Sequence, residues 1–173
     1  IASDNTGSQL LFAGIRFAIA GMMVIIMTSL ISKKFLYPKK KSIGKVIIIS
    51  LFQTVIQYFF YYIGLARTSG VKASVIIGTS VFITLILSSL IFKLENLTTK
   101  KIVGCIIGFI GVMIINMNGF SYDFSFTLTG EGFILISTVA SAFSSVIMKK
   151  FSKDDNPMML SGWQFFIGGI ILV

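Results

Sequence analysis

The sequence has no histidine, one cysteine, two prolines and few charges, which make up 12% of its 173 residues. Without histidine, the commonest general base and the commonest metal ligand are both missing, so His-dependent hydrolases and most zinc-type sites cannot be built. Cys105 has no intrachain partner and sits in an apolar run, so it forms no internal disulfide and reads as a small packing residue. Soluble domains carry about 25% charged residues, and so low a charge content argues against a water-soluble globule. No basic segment precedes an apolar stretch in residues 1–8, so no cleavable signal peptide is visible. The chain has no initiator Met and its last apolar run stops short of a comfortable span, so it is expected to be cut at both ends.

What is present is apolar: 55% hydrophobic residues, 17 Phe and 16 Gly. Six mostly apolar segments follow one another, at 9–31, 46–65, 71–92, 101–117, 132–148 and 158–173. A helix needs about 20 apolar residues to cross a hydrocarbon core about 30 Å thick, so the expected fold is an all-α integral membrane protein with six transmembrane helices, the last one truncated. The breaks between them are short and polar.

The net charge of +9 could suggest nucleic acid, but the lysines cluster between the apolar segments and act there as topology signals. Lys33, Lys34, Lys39, Lys40, Lys41 and Lys45 lie in the first connection, Lys93, Lys100 and Lys101 in the third, and Lys149, Lys150 and Lys153 in the fifth. The opposite side has only Arg67 and Lys72, with Asp123 and Glu131. The positive-inside rule therefore places loops 32–45, 93–101 and 149–157 in the cytoplasm. The expected location is the plasma membrane, the inner membrane in a bacterial cell.

The last segment reads Gly162-Trp163-Gln164-Phe165-Phe166-Ile167-Gly168-Gly169, and the first contains Gly14-Ile15-Arg16-Phe17-Ala18-Ile19-Ala20-Gly21. Gly14 matches Gly162, Phe17 matches Phe165, Ile19 matches Ile167 and Gly21 matches Gly169, with Arg16 opposite Gln164. Five spans separate the two, so they run in opposite senses. That is the pattern of an inverted-topology repeat, which many secondary transporters use to build a midplane site; accidental similarity of two Gly-rich helices is the alternative.

From Tyr61 through Asn118 the chain resembles the EamA-type branch of the drug/metabolite transporter superfamily. The resemblance rests on Gly64-Leu65-Ala66-Arg67-Thr68-Ser69, Ala73-Ser74, Phe92-Lys93-Leu94-Glu95-Asn96-Leu97-Thr98 and the ladder Gly104, Gly108, Gly111. Arg16-Phe17 adds to it, and Gly130 to Lys150, with Ser141-Ala142-Phe143, looks like the start of a second repeat. The family implies ten helices in two inverted five-helix repeats, of which these six are helices two to seven. Residues 1–118 are then the first repeat without its first helix, 119–131 an outer loop and 132–173 the start of the second repeat. Where the family usually has proline this chain has Thr79-Ser80-Val81, which leaves open whether the helix breaks there.

Candidate substrate-binding residues follow from polar groups in apolar segments. Arg16 lies about 10 Å below the start of its span at 1.5 Å per residue, where it lines a cavity or snorkels to the headgroups. Ser50, Gln53, Gln57 and Tyr61 recur every three or four residues as one helical stripe, which either lines a substrate path or binds neighbouring helices. Ser80, Thr84 and Ser88, and Ser137, Ser141 and Ser145, recur at i+4, where packing is the main reading and substrate contact by Ser80, Thr84 and Ser141 the sharper one. The Gly104–Gly111 ladder reads as a close-approach face, and Glu95 as a carboxylate favouring the next helix start.

The expected function is a secondary carrier, an exporter of small metabolites such as amino acids or drug-like compounds, working by alternating access. A non-transporting membrane subunit or assembly factor is the alternative. No paired acids or nucleophile–base pair lie in the spans, so an enzyme is not expected. No cofactor or metal is expected either; the partners are a small-molecule substrate and the lipid bilayer, with no nucleic acid and a homodimer left open.

Overall fold

The computed structural model describes residues 6–116 and 127–173; Asp123 and most of the expected outer loop lie outside them. All regular structure among the described residues is helical. Six helices follow in order: α1 Thr6–Ser32, α2 Lys40–Leu65, α3 Gly70–Ile91, α4 Thr99–Asn116, α5 Leu128–Phe151 and α6 Pro157–Leu172. Four of them, α1, α2, α3 and α5, are long and apolar enough to cross a membrane; α6 is a shorter apolar helix. The first turn of α4 is spent on Thr99, Lys100 and Lys101, which shortens its apolar part.

Local chemistry explains the helix ends. Ser69 caps α3 by accepting from Lys72 N, and Asn156 caps α6 by accepting from Met158 N, with Pro157 at the first helical position. After α1, Lys33 takes φ 49°; its N–H bonds Leu30 O and the N–H of Lys34 bonds Ser29 O, the two bonds of a Schellman ending. Lys93 turns the chain after α3 with φ 48°.

Three helices contain π turns, at Leu51–Ile56, Leu87–Ile91 and Leu128–Gly132. α3 also breaks at Thr79, without proline. Thr79 N bonds back three residues to Ile76 O at 3.0 Å, and its hydroxyl donates to the same carbonyl at 2.6 Å, tightening the turn.

The chain divides into two compact units, 1–59 with 147–173, and 60–146; the division falls within α2 and within α5. In the first unit, α6 lies against α1 and the first part of α2. Ala13, Phe17, Ile25, Val46, Ile49, Met159 and Leu160 are buried there. Four glycines permit this approach. A Cβ added at Gly21 would lie 2.4 Å from Phe166 N and 2.7 Å from Gly162 O, and one at Gly169 would lie 2.4 Å from Ala18 N and 2.7 Å from Gly14 O. In the second unit, Ala73, Ile134, Ala140, Ala142 and Val146 are buried. Gly64 is close to Gly130 O and the Ile134 side chain, and the Phe60 and Phe133 rings meet edge to face at 5.3 Å.

Large apolar side chains remain exposed along α1 and α4, including Leu30, Ile31, Ile107, Ile114 and Ile115. So much exposed apolar surface on each helix belongs in lipid or against other apolar helices. The Gly104, Gly108 and Gly111 ladder faces open space: no atom would lie within 4 Å of a Cβ at any of them. The expected close approach on this face is therefore not made by any described residue of this chain.

Candidate functional site

The first unit joins α2 to α6 through polar groups in an apolar seam. Ser50 donates its hydroxyl to Gln164 O at 3.0 Å, and both residues are buried. One helical turn on, Thr54 lies against Gly168, where an added Cβ would be 2.5 Å from Thr54 Cβ. Among the described residues, no hydrogen-bond partner meets the buried Thr54 Oγ1 and Gln164 Oε1 atoms. A hydroxyl and an amide oxygen left in this way are costly in an apolar seam and suit a ligand or a second conformation that pairs with them.

The expected stripe on α2 is split by its π turn. Ser50 and Thr54 face α6, whereas Gln53 and Gln57 are only half-buried. An i+5 bonding pattern changes the phase of the helix face, which regular 3.6 spacing cannot show. Tyr61 belongs to the second unit, its ring 5.6 Å from that of Tyr62. Arg16 is exposed, its guanidinium 5.0 Å from the centre of the Phe17 ring. Phe17 in turn stacks on Phe165 at 5.7 Å and meets Tyr58 at 4.5 Å. Arg16, Phe17, Tyr58 and Phe165 thus form one cationic and aromatic patch in the first unit.

At one end of this unit, Lys45 bonds Asp155 at 2.8 Å and Asp154 at 3.4 Å, and Ser42 donates to Asp155 at 2.7 Å. The Lys45 ammonium, followed by the Ser42 hydroxyl, holds the Asp155 carboxyl below the usual carboxylate range.

The second unit has a buried carboxylate that sequence reasoning missed. Glu131 was expected in the outer loop, leaving no carboxylate inside a span; α5 in fact begins at Leu128, and Glu131 is 6% exposed within its first turn. Thr68 donates to Glu131 at 2.8 Å, Thr127 donates through its N–H at 2.9 Å and through its hydroxyl, and Lys72 Nζ lies 3.4 Å away. A capping box has its acid three residues after the cap; here the π turn moves it to four, and that spacing hid the signal. The cluster ties the turn between α2 and α3 to the start of α5.

Ser80 and Thr84 on α3 and Ser141 on α5 are half-buried. In the same two series the Ser145 hydroxyl donates to Ser141 O and the Ser88 hydroxyl to Leu85 O, so those two close on their own helices. Glu95 pairs with Lys101 across the start of α4. Among the described residues no three His, Cys, Asp or Glu side chains gather as metal ligands.

The EamA-like transporter family matches residues 2–117, two thirds of the chain. The chain belongs to the EamA-like transporter family. Similar proteins include an uncharacterized transporter of Archaeoglobus fulgidus, 30% identical over 95% of this chain and 56% of that protein. The uncharacterized transporter YyaM of Bacillus subtilis is 31% identical over 65% of this chain and 37% of its own length. A chloroplastic WAT1-related protein of Arabidopsis thaliana is 30% identical over 64% of this chain and 27% of its own. The chain thus spans about half the length, or less, of these relatives. No solved structure matches it. Membership agrees with the four helices, α1, α2, α3 and α5, that are long and apolar enough to cross a membrane.

Proposed function

We propose that this chain is part of a secondary carrier that exports small polar or amphiphilic metabolites, such as amino acids or drug-like compounds, by alternating access. Residues 1–118 form the first of two inverted repeats without its first helix, 119–131 join them, and 132–173 begin the second. The six helices are then helices two to seven of ten, in the plasma membrane, with loops 32–45, 93–101 and 149–157 cytoplasmic.

One observation carries this reading. Adding 148 turns Gly14, Phe17 and Gly21 into Gly162, Phe165 and Gly169. Under that exchange the approach of Gly14 to Gly169 becomes the approach of Gly21 to Gly162, and both exist; Phe17 stacks on its own equivalent, Phe165. Contacts that the exchange maps onto one another in an antiparallel pair support a two-fold relation of the kind that inverted repeats require. Repeats related in this way supply two access states by exchanging conformations.

Arg16, Gln53, Gln57 and Tyr61 line the substrate path in this proposal, with Ser80, Thr84 and Ser141 as further polar contacts. Arg16 attracts carboxylate groups, and the Gln amides donate and accept towards zwitterions. Efflux by the intact protein in a toxicity-rescue assay tests the proposal. Arg16→Ala and Gln57→Ala should each slow efflux at unchanged expression; parental rates in both would remove them from the path. Symmetry adds a stricter test, because Gly14→Leu and its equivalent Gly162→Leu should lose efflux together. Loss in only one of them would count against the paired repeats.

A further inference from the structure

The inner end of α1, in the cytoplasmic orientation proposed above, has a feature that substrate transport does not use. A cleft of about 460 Å³ lies between the last turns of α1 and the chain that folds back from it. Ile26, Leu30 and Phe35 give it an apolar wall, and Ser29, Lys33 and Lys34 give it a polar rim. Its volume is within the usual range for small-ligand sites, about 300–1,000 Å³. The fold-back is held at two points. Ser29 Oγ accepts from Leu36 N at 3.3 Å, and Trp163 Nε1 on α6 donates to Leu36 O at 2.8 Å.

Two properties of the lysines stand out. Neither Lys33 nor Lys34 pairs with a carboxylate among the described residues, whereas Lys45 holds Asp154 and Asp155 and Lys101 holds Glu95. Lys33 also occupies φ 49°, a left-handed position that ends helices and that glycine fills at least cost. A long cationic side chain at such a position works against the turn, as it also does at Lys93 after α3.

We propose that this cleft binds one anionic phospholipid of the cytoplasmic leaflet. Lys33 and Lys34 take the headgroup through its net negative charge, which a zwitterionic headgroup lacks, and an acyl chain lies along Ile26 and Leu30. Charge and depth agree with this occupant. Juxtamembrane lysines on the cytoplasmic side attract anionic headgroups, and Leu30 and Ile26, 72% and 50% exposed, continue the apolar wall along the helix towards the membrane interior. A soluble anion would use the lysines but not that wall.

Native mass spectrometry of the full chain, titrated in detergent with phosphatidylglycerol or phosphatidylcholine, tests this. Phosphatidylglycerol should bind about thirtyfold more tightly, the equivalent of about 2 kcal/mol from two lysines near the headgroup. Lys33→Gly combined with Lys34→Gln should abolish that preference, whereas Lys40→Gln with Lys41→Gln, the same change in charge outside the cleft, should keep it. Lys33→Gly alone should weaken the adduct while leaving thermal stability equal or higher, because it removes backbone strain; a folding defect would lower both. Equal binding of the two lipids, equal loss in the control pair, or full displacement by millimolar inorganic phosphate would each overturn the proposal. Thiol labelling of Lys34→Cys in whole cells separates the site from the topology. Labelling from outside with the lipid preference intact would reject the orientation and leave the cleft a lipid site of the other leaflet.

Discussion

Glycine does opposite things in α1 and in α4. Gly14 and Gly21 meet the backbone of α6 so closely that an added Cβ would overlap it, whereas Gly104, Gly108 and Gly111 meet nothing within 4 Å. The same small residue in equally apolar helices therefore specifies an approach only where another backbone lies opposite. The two units differ in the same way in their polar groups. The first leaves Thr54 Oγ1 and Gln164 Oε1 unpaired in its seam, and the second surrounds Glu131 with three residues that donate to it or pair with it.

The largest effect expected from this contrast is at Gly21. Gly21→Leu forces α1 away from α6 against backbone atoms that cannot yield, and should cost about 3 kcal/mol or more. Gly108→Leu, made in the open, should change stability by less than about 0.5 kcal/mol. Thermal unfolding in detergent measures both; comparable losses would mean that the α4 ladder also has a backbone against it. Next comes Glu131. Glu131→Ala leaves Lys72, Thr68 and the Thr127 N–H without their acceptor and should cost about 2 kcal/mol, with Glu131→Gln recovering part of it. An Ala variant as stable as the parent would show that the cluster is not what ties α5 to the turn before α3.

The positions of the helices were legible in the sequence because apolar runs and lysine clusters are direct records of length and environment. Most observed boundaries fall within a few residues of the apolar segments; α2 begins six residues early, at Lys40, because lysines there are good helix formers that hydropathy alone counts as loop. Gly14, Gly21, Gly162 and Gly169 were visible as matched positions, but their spatial opposition was not, since periodicity says nothing about which faces meet. The π turns were hidden for a physical reason: an i+5 turn shifts every later side chain, so Thr54 rather than Gln53 enters the seam. The break at Thr79 was similarly masked, being made by a hydroxyl in place of a proline.

A smaller effect, and one that depends on pH, is expected where Asp155 meets Lys45 and Ser42. Folding lowers the carboxyl's pKa, so in acid the unfolded chain binds more protons than the folded one. The stabilisation is complete above the unfolded value, about 3.9, and disappears as pH falls through the lower folded value. Asp155→Asn should remove this part of the acid dependence. If thermal unfolding between pH 7 and pH 2 followed the same curve in parent and variant, the Lys45–Asp155 contact would contribute nothing to the first unit.

The smallest effect is the most informative about the seam, because it separates paired from unpaired hydroxyls on one helix. Ser50 donates to Gln164 O, so Ser50→Ala should destabilise by about 0.6 kcal/mol, the average for such interhelical bonds in a membrane bundle. Thr54 has the same burial and no partner, so Thr54→Val removes an unsatisfied group at nearly constant volume and should be neutral or stabilising by up to about 1 kcal/mol. Opposite signs four residues apart on α2 would mark Thr54 as a group retained for something other than the stability of this conformation. A parallel loss of efflux in Thr54→Val would place that role in transport. A destabilised Thr54→Val instead would mean that the hydroxyl has a donor or acceptor in the membrane, and the seam would then be held by hydrogen bonds throughout.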